Sequence, residues 1–315
     1  MEFIPSTGHH LHIVLNHVPV IGTLVAVLLL AIALYANSAD LKRISLIGFS
    51  ILALLVIPTY LSGGAARWTL EANERIAAPL VAAHHDAASW AFVLSGATGL
   101  VAWLILWRAR RSNDEIGGWP VWSVLVLSFV TLAAMVRTGS LGGYIHRPEL
   151  LTPEELTRFS GGFGRSSIEL FNDRLYWAWP AAEAAHFIGL ALIFGPIVVI
   201  GLRVFGYSKN LSFAAVHRLL PLAVFGLLVN VVTGMYFFIT DSGRYVAMAG
   251  FPIKIALLML AGFSVLYLTI AEAPWRLEAG AQAGTGVKLV AGAAIVLWAG
   301  VIVFGRLLPY YGGGG

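Results

Sequence analysis

The chain has 315 residues, of which 58% are hydrophobic and only 11% are charged, and its formal net charge is +4. A soluble domain needs more charged surface than this composition supplies, so the sequence predicts a membrane protein with several spans. The chain has no cysteine, which excludes disulfides, thiolate zinc sites, iron–sulfur clusters and covalently attached haem. Any metal or haem must therefore be held by nitrogen or oxygen, and the nine histidines are the obvious donors. Basic residues beside the membrane explain the small positive charge, so we expect no nucleic-acid partner.

Apolar stretches of about 20 residues, the length that crosses a bilayer core of about 30 Å, recur along the whole chain. Gly, Pro, Asn and charged residues separate them. The eight predicted spans are 12–35, 44–62, 82–107, 120–139, 181–204, 214–239, 251–271 and 287–308. The sequence therefore predicts an all-α polytopic membrane protein whose eight transmembrane helices form two four-helix bundles.

The longest connection between spans divides the chain into two halves. It contains two capping boxes, Thr152 with Glu155 and Ser166 with Glu169, each of which predicts the start of a short amphipathic helix. We expect these helices to lie over the external membrane surface. The predicted domains are an N-terminal bundle over 1–140, an external linker over 141–180 and a C-terminal bundle over 181–315.

The short loops that follow the odd-numbered spans contain half of the basic residues and few acidic ones; examples of the basic residues are Lys42, Arg43, Arg110 and Arg203. The loops on the other side are longer and contain most of the acidic residues. The positive-inside rule makes the short loops cytoplasmic. We therefore expect a multi-pass protein of the bacterial inner membrane with both termini on the external side.

Eight of the nine histidines fall on the external side of this topology, at His9, His10, His12, His17, His84, His85, His146 and His186. The ninth, His217, is followed by Arg218 and is expected to be an interfacial anchor on the cytoplasmic side. About 19 residues, or roughly 28 Å of helix, separate His186 from that side, so His186 and His217 cannot share a metal. A histidine at a span end is often only an interfacial residue, and that alternative stays open for every member of the group.

A haem with two histidine ligands needs imidazoles from different helices at the same depth, with small residues beside them. His17, His84, His85 and His186 satisfy the depth requirement, and alanines surround the histidine pair of span three. Adjacent helical residues point about 100° apart, so His84 and His85 can serve two centres, one shared with His17 and the other with His186. Asp86 or backbone carbonyls would orient the rings.

Three charged residues near the predicted histidine layer are further site candidates. Glu183 lies one turn before His186 and could take a proton or hold a quinol hydroxyl in a catalytic role; alternatively it is a hydrogen-bond partner of that histidine. Arg67 and Arg137 lie at the exits of spans two and four. They could neutralise haem propionates or simply mark the membrane interface.

Several motifs resemble known families. In the first half, "LNHVPVIG", "PTYLSGGAARW" and "HHDAASWAF" resemble uncharacterised bacterial four-helix membrane proteins akin to b-type membrane cytochromes. In the second half, "EAAHFIGLALIFGPIVVIGLRVFG", "VVTGMYFF" and "FPIKIALLMLAGF" resemble an uncharacterised bacterial membrane family akin to copper-resistance D-type proteins. The two resemblances imply haem or copper chemistry and do not decide between them.

These observations favour a b-type cytochrome subunit with one or two haem b groups near the external face. It would exchange electrons between the quinone pool and an external partner, a c-type cytochrome or a dehydrogenase module, within a larger membrane redox complex. Copper handling is an alternative, because "HHLH" at 9–12 and the pair at 84–85 could bind copper. The scarcity of sulfur ligands counts against transport of Cu(I), which prefers them. A membrane anchor subunit without redox chemistry is the third possibility.

Overall fold

The computed structural model describes residues 8–71, 78–152, 154–155, 175 and 177–311. These residues form helices and turns, and no strand occurs among them. Eight helices are long and apolar enough to cross a membrane, which confirms the predicted all-α polytopic architecture. Most are longer than their apolar cores, since helical hydrogen bonding continues into the flanking polar residues. The spans are His10–Tyr35, Ala39–Arg67, Pro79–Ser112, Trp119–His146, Ala178–Phe205, Phe213–Thr240, Gly250–Ile270 and Thr285–Leu308.

The chain divides into two compact units, 1–164 and 165–315, with the boundary inside the predicted linker. Unit 1 packs each span against the next, and its first span also packs against its fourth, so the bundle is closed. The short helix at the beginning of the first span also packs against the second span. The helices of unit 1 are α1 Gly8–Leu15, α2 His17–Tyr35, α3 Ala39–Glu71, α4 Ala78–Ser112 and α5 Trp119–His146.

Small and hydroxyl residues bring the helices of unit 1 together. A Cβ atom on Gly99 of α4 would lie 2.7 Å from the carbonyl oxygen of Phe49 on α3, so only glycine permits this crossing. Thr98 and Thr131 join α4 to α5 through a buried hydrogen bond of 2.8 Å between their hydroxyl groups. Such contacts supply the polar and close-packed interfaces that helices in lipid require.

Unit 2 has a different packing order. Its first long helix, α6 (Ala178–Phe205), lies between α8 (Leu220–Thr240) and α12 (Thr285–Tyr311). The helix α12 also packs against α10 (Gly250–Ile270). The described helices α8 and α10 are not packed against each other along their length, although they follow each other in the chain. The helices are α6 Ala178–Phe205, α7 Phe213–Val216, α8 Leu220–Thr240, α9 Ser242–Ala247, α10 Gly250–Ile270, α11 Glu272–Trp275 and α12 Thr285–Tyr311.

Two polar residues at one end of unit 2 are completely buried. The guanidinium of Arg203 donates to the backbone carbonyls of Leu211, Glu278 and Ala281, which fastens the end of α6 to two loops. His217 has no exposed surface, and its ring centroid lies 4.5 Å from Phe213 and 4.4 Å from Trp275. The expectation of a solvated interfacial ring at His217 is therefore wrong, because aromatic side chains enclose it.

The linker is described only in part. Thr152 and Glu155 make the reciprocal hydrogen bonds of a capping box: the Thr152 amide donates to Oε2 of Glu155 at 2.9 Å, and the Glu155 amide donates to the Thr152 hydroxyl at 3.3 Å. This confirms the first predicted capping box. The second predicted box, Ser166 with Glu169, lies outside the described residues.

Candidate metal centre

A pair of histidines from different helices faces each other near one end of unit 1. His12 belongs to α1 and His84 to α4. Their ring centroids are 6.3 Å apart and the ring planes are inclined at 82°. Both rings are partly buried. The fold therefore brings His84 to His12, a residue that the sequence analysis places on the same side of the membrane as His84 but leaves out of its haem-ligand set.

Backbone carbonyls fix the orientation of both rings. Nδ1 of His12 lies 3.1 Å from the carbonyl oxygen of Thr59 and 3.3 Å from the hydroxyl of Ser62. Nδ1 of His84 lies 3.0 Å from the carbonyl oxygen of Thr138. A carbonyl can only accept, so Nδ1 carries the proton in both rings, and Nε2 of each neutral ring has the lone pair that can bind a metal. Metal-binding histidines commonly have this second hydrogen bond.

Each ring also lies against a glycine. A Cβ atom on Gly63 of α3 would be 3.0 Å from Cε1 of His12. A Cβ atom on Gly142 of α5 would be 3.3 Å from Cε1 of His84. These glycines make room for the imidazoles close to the helix backbones.

The separation of the rings indicates the kind of metal site that would fit. A metal–imidazole bond of about 2 Å plus about 1 Å to the ring centre places each centroid about 3 Å from a shared metal. Ligands on opposite sides of the metal would then have centroids about 6 Å apart, and ligands of a tetrahedral metal about 5 Å. The observed 6.3 Å between His12 and His84 fits ligands on opposite sides. Within the described part of the chain, no group of three or more His, Cys, Asp and Glu residues could hold a metal.

His85 faces a different neighbour from His84, as the rotation of about 100° per helical residue requires. Its Nε2 lies 3.4 Å from the hydroxyl of Tyr60, and that hydroxyl lies 2.8 Å from the hydroxyl of Ser89. Tyr60 is buried and its ring packs against both His85 and Phe92. The two adjacent histidines therefore have different neighbours. His84 pairs with His12, whereas His85 belongs to a hydrogen-bonded group with Tyr60.

The charged candidates of unit 1 occupy different environments. Arg67 is partly buried and interacts electrostatically with Asp86 and Tyr60. The ring of His84 is oriented by the Thr138 carbonyl of α5, so a backbone group fulfils the role that the sequence analysis offered to Asp86 or to carbonyls of the first turn. Arg137 is exposed on α5.

His17 and His146 have exposed side chains. His146, at the end of α5, is close enough to His84 to interact electrostatically with it. His17 lies beyond the break at Asn16 that separates α1 from α2. Its predicted role as a ligand stays a prediction, and the described ring contact of His84 is made by His12.

His186 lies in unit 2 and has its own polar contact. Its Nδ1 is 2.7 Å from the hydroxyl of Thr233, which itself donates to the Val229 carbonyl at 2.7 Å. The hydroxyl oxygen must therefore accept from Nδ1–H, so His186 also presents a lone pair at Nε2. Because His186 belongs to unit 2, its pairing with a histidine of unit 1 stays a prediction.

Glu183 is exposed, and its carboxylate accepts a hydrogen bond of 3.2 Å from the indole of Trp179. The His186 ring forms its hydrogen bond with the hydroxyl of Thr233, so Thr233 occupies the position that the sequence analysis offered to Glu183 as the alternative to catalysis. A catalytic role of Glu183 stays a prediction.

Comparison of the chain with protein-family models, with curated proteins and with solved structures gives no match.

Proposed function

We propose that this protein is a membrane b-type cytochrome subunit and that His12 and His84 hold a haem b between them. One observation carries the proposal: the imidazole rings of His12 and His84, from separate helices, lie next to each other with centroids 6.3 Å apart, a separation that would suit two histidine ligands of one metal. When bound, the haem would supply one-electron exchange. The resemblance of the first half to b-type membrane cytochromes agrees with this assignment.

The residues around the pair fit the requirements of such a group. The carbonyls of Thr59 and Thr138 hold the Nδ1 protons, so each ring offers Nε2 without rotating. Gly63 and Gly142 admit the rings. Arg67 is the nearest candidate cation for a propionate, because its electrostatic partners are Tyr60 and Asp86 beside the histidines.

The proposed redox partners follow from the position of the pair. His12 lies in α1, which precedes α2, and His84 lies near the beginning of α4, whereas their acceptors Thr59 and Thr138 lie in the second halves of α3 and α5. This end of unit 1 is external in the proposed bacterial inner-membrane topology, with both termini outside. Electrons would pass between membrane quinone and an external c-type cytochrome or dehydrogenase module over the 141–180 linker, without transmembrane charge movement by the haem.

A second centre that uses His85 or His186 remains part of the proposal. A separate centre at His85 has a geometric basis, because His84 and His85 face different neighbours. A second haem would require the hydrogen bond between His85 and Tyr60 to open. We therefore expect one haem per chain, held by His12 and His84.

The test is the reduced-minus-oxidised optical spectrum of the purified protein, together with its haem and copper content. The wild type should show the sharp α-band of a low-spin b-type haem. His12→Ala and His84→Ala should each abolish it, because one axial ligand does not hold low-spin iron. His17→Ala is the matched control, since His17 is exposed at the start of α2, and it should retain the full band.

Other outcomes would identify the alternatives. Bound copper with a featureless spectrum would establish the copper-binding function. Absence of both would leave a membrane anchor subunit. A band that survives His12→Ala and is lost in His17→Ala would refute the assignment of the ligand pair while keeping the haem.

A further inference from the structure

Lys254 of unit 2 is a cation inside a predicted span. It lies four residues after Gly250, the first residue of α10, which is about 6 Å along the helix axis. Its Nζ and Cε lie 3.3 and 3.4 Å from the point where a Cβ atom on Gly305 of α12 would be. It is also close enough to His186 of α6 to interact electrostatically. The side chain therefore runs along the neighbouring helix α12, on the side where α6 also packs.

The charge of Lys254 is not compensated by the described residues. The ion pairs described in unit 2 join Arg244 to Asp241 and Arg276 to Glu272. Neither of these ion pairs includes Lys254. Ionisable residues within membrane spans normally pair with a counter-charge or mark a binding site. Lys254 therefore requires an anion from outside the described protein.

The helices around Lys254 leave space for such an anion. The buried hydrophobic core of unit 2 is built by α6, α10 and α12 together with the loops at the Arg203 end. At the His186 end, α8 and α10 meet through the stacked rings of Phe238 and Phe251, 5.8 Å apart. Along their remaining length these two helices are not packed together. The contacts of α6, α8, α10 and α12 therefore leave one side of unit 2 open between α8 and α10, and the Phe238–Phe251 stack borders this opening at the His186 end.

We propose that this opening binds the anionic headgroup of a phospholipid, whose phosphate pairs with the ammonium of Lys254. The charge favours an anion over a neutral ligand such as a quinone, because a neutral carbonyl would leave the lysine uncompensated. The lateral opening favours a lipid over a soluble anion, since the Phe238–Phe251 stack covers the end next to the loop. Exposed apolar side chains of α8, such as Phe225 and Val232, would contact the acyl chains. The proposal does not depend on the haem.

The experiment is native mass spectrometry of the full chain in detergent with phosphatidylglycerol or phosphatidylcholine of identical acyl chains. The wild type should retain phosphatidylglycerol at least about fivefold better, the factor that corresponds to one lysine beside an anionic lipid. Lys254→Met should remove this preference, whereas Lys254→Arg should keep it. Lys288→Met is the control for loss of a lysine elsewhere in unit 2, near the beginning of α12, and it should keep the preference that Lys254→Met loses.

A second measurement distinguishes loss of lipid binding from a folding defect. Added phosphatidylglycerol should raise the melting temperature of the wild type and of Lys254→Arg, and leave that of Lys254→Met unchanged. Equal retention of the two lipids by the wild type, or an unchanged preference in Lys254→Met, would overturn the proposal. Loss of a co-purifying quinone from Lys254→Met with unchanged lipid retention would also overturn it and would identify a quinone site.

Discussion

The imidazoles of His12 and His84 are each held by a backbone carbonyl, and this explains how much of the site the sequence could reveal. His84 was predicted because "HHDAASWAF" places two histidines among small residues at the start of a span. The sequence analysis offers His17 and His186 as the partners of the two histidines in this motif, because both share the predicted depth. The sequence does not reveal the position of His12, because the backbone carbonyl of Thr59 accepts its hydrogen bond and a backbone carbonyl leaves no pattern in the sequence. The weak signal was Gly63 in "PTYLSGGAARW", a glycine that leaves room for a ring.

The two glycines beside the rings give a prediction at the scale of single residues. Gly142→Ala would place a methyl group 3.3 Å from Cε1 of His84, and Gly63→Ala would place one 3.0 Å from Cε1 of His12. Because the rings must shift, we expect haem retention to fall by about fivefold for Gly142→Ala, or about 1 kcal/mol of overpacking, and further for Gly63→Ala. Haem content after dilution into haem-free detergent measures the effect.

Gly143→Ala is the control for this prediction. It lies on the same helix, has nothing within 4 Å of the added methyl group, and should retain haem like the wild type. Equal losses from Gly142→Ala and Gly143→Ala would show that helix rigidity, and not contact with His84, controls the site.

At the scale of helices and loops, the sequence predicted the existence of all eight spans because each needs only about 20 apolar residues in a row. It did not predict how the ends are fastened. Arg203 was counted among the cationic loop residues that set the orientation, yet it is completely buried. Its acceptors are carbonyl groups of Leu211, Glu278 and Ala281. Backbone acceptors in distant loops leave no pattern in the sequence, so this contact could only be found in the fold.

The Arg203 contacts give a prediction for unit 2. Arg203→Met would leave three carbonyls without their charged donor, and we expect a loss of about 3 kcal/mol or more in the free energy of unfolding. Arg203→Lys should recover only part of it, because an ammonium cannot reproduce the planar guanidinium fork. The midpoint of denaturation in mixed detergent micelles would measure the change.

Arg276→Met is the corresponding control. Arg276 and Glu272 form an exposed pair with an N–O distance of 2.5 Å, and exposed pairs contribute at most about 1 kcal/mol. If Arg203→Met proved no more harmful than Arg276→Met, the buried contacts would not hold the loops as described.

At the scale of the whole molecule, the two units share a span count and differ in construction. Unit 1 is closed by the contact of α2 with α5, whereas α8 and α10 of unit 2 are not packed along their length. Apolar pattern alone could not distinguish these arrangements, because lipid and protein interiors favour the same apolar residues. The difference depends on small residues at the crossings, such as Gly189 and Gly226, where a Cβ on Gly226 would lie 2.6 Å from the Gly189 carbonyl oxygen.

The proposed orientation predicts which loops are accessible. The chain contains no cysteine, so single cysteines can be labelled without a background signal. In intact cells, a membrane-impermeant maleimide should label Glu149→Cys, whose position is exposed on the external side of the proposed topology. Asp114→Cys, exposed between α4 and α5, should be labelled only after permeabilisation. The reverse pattern would place the histidine pair on the cytoplasmic side and exclude the proposed external partner.

The most direct test of the central claim is the electron paramagnetic resonance spectrum of the oxidised, purified protein. His12 and His84 would hold the haem iron, and the planes of these two rings are inclined at 82°. We expect the strongly anisotropic low-spin ferric signal of that geometry in the wild type and in His17→Ala, and its loss in both His12→Ala and His84→Ala. A low-spin signal that persists in His12→Ala, or a wild type with only high-spin iron or only copper, would contradict the claim.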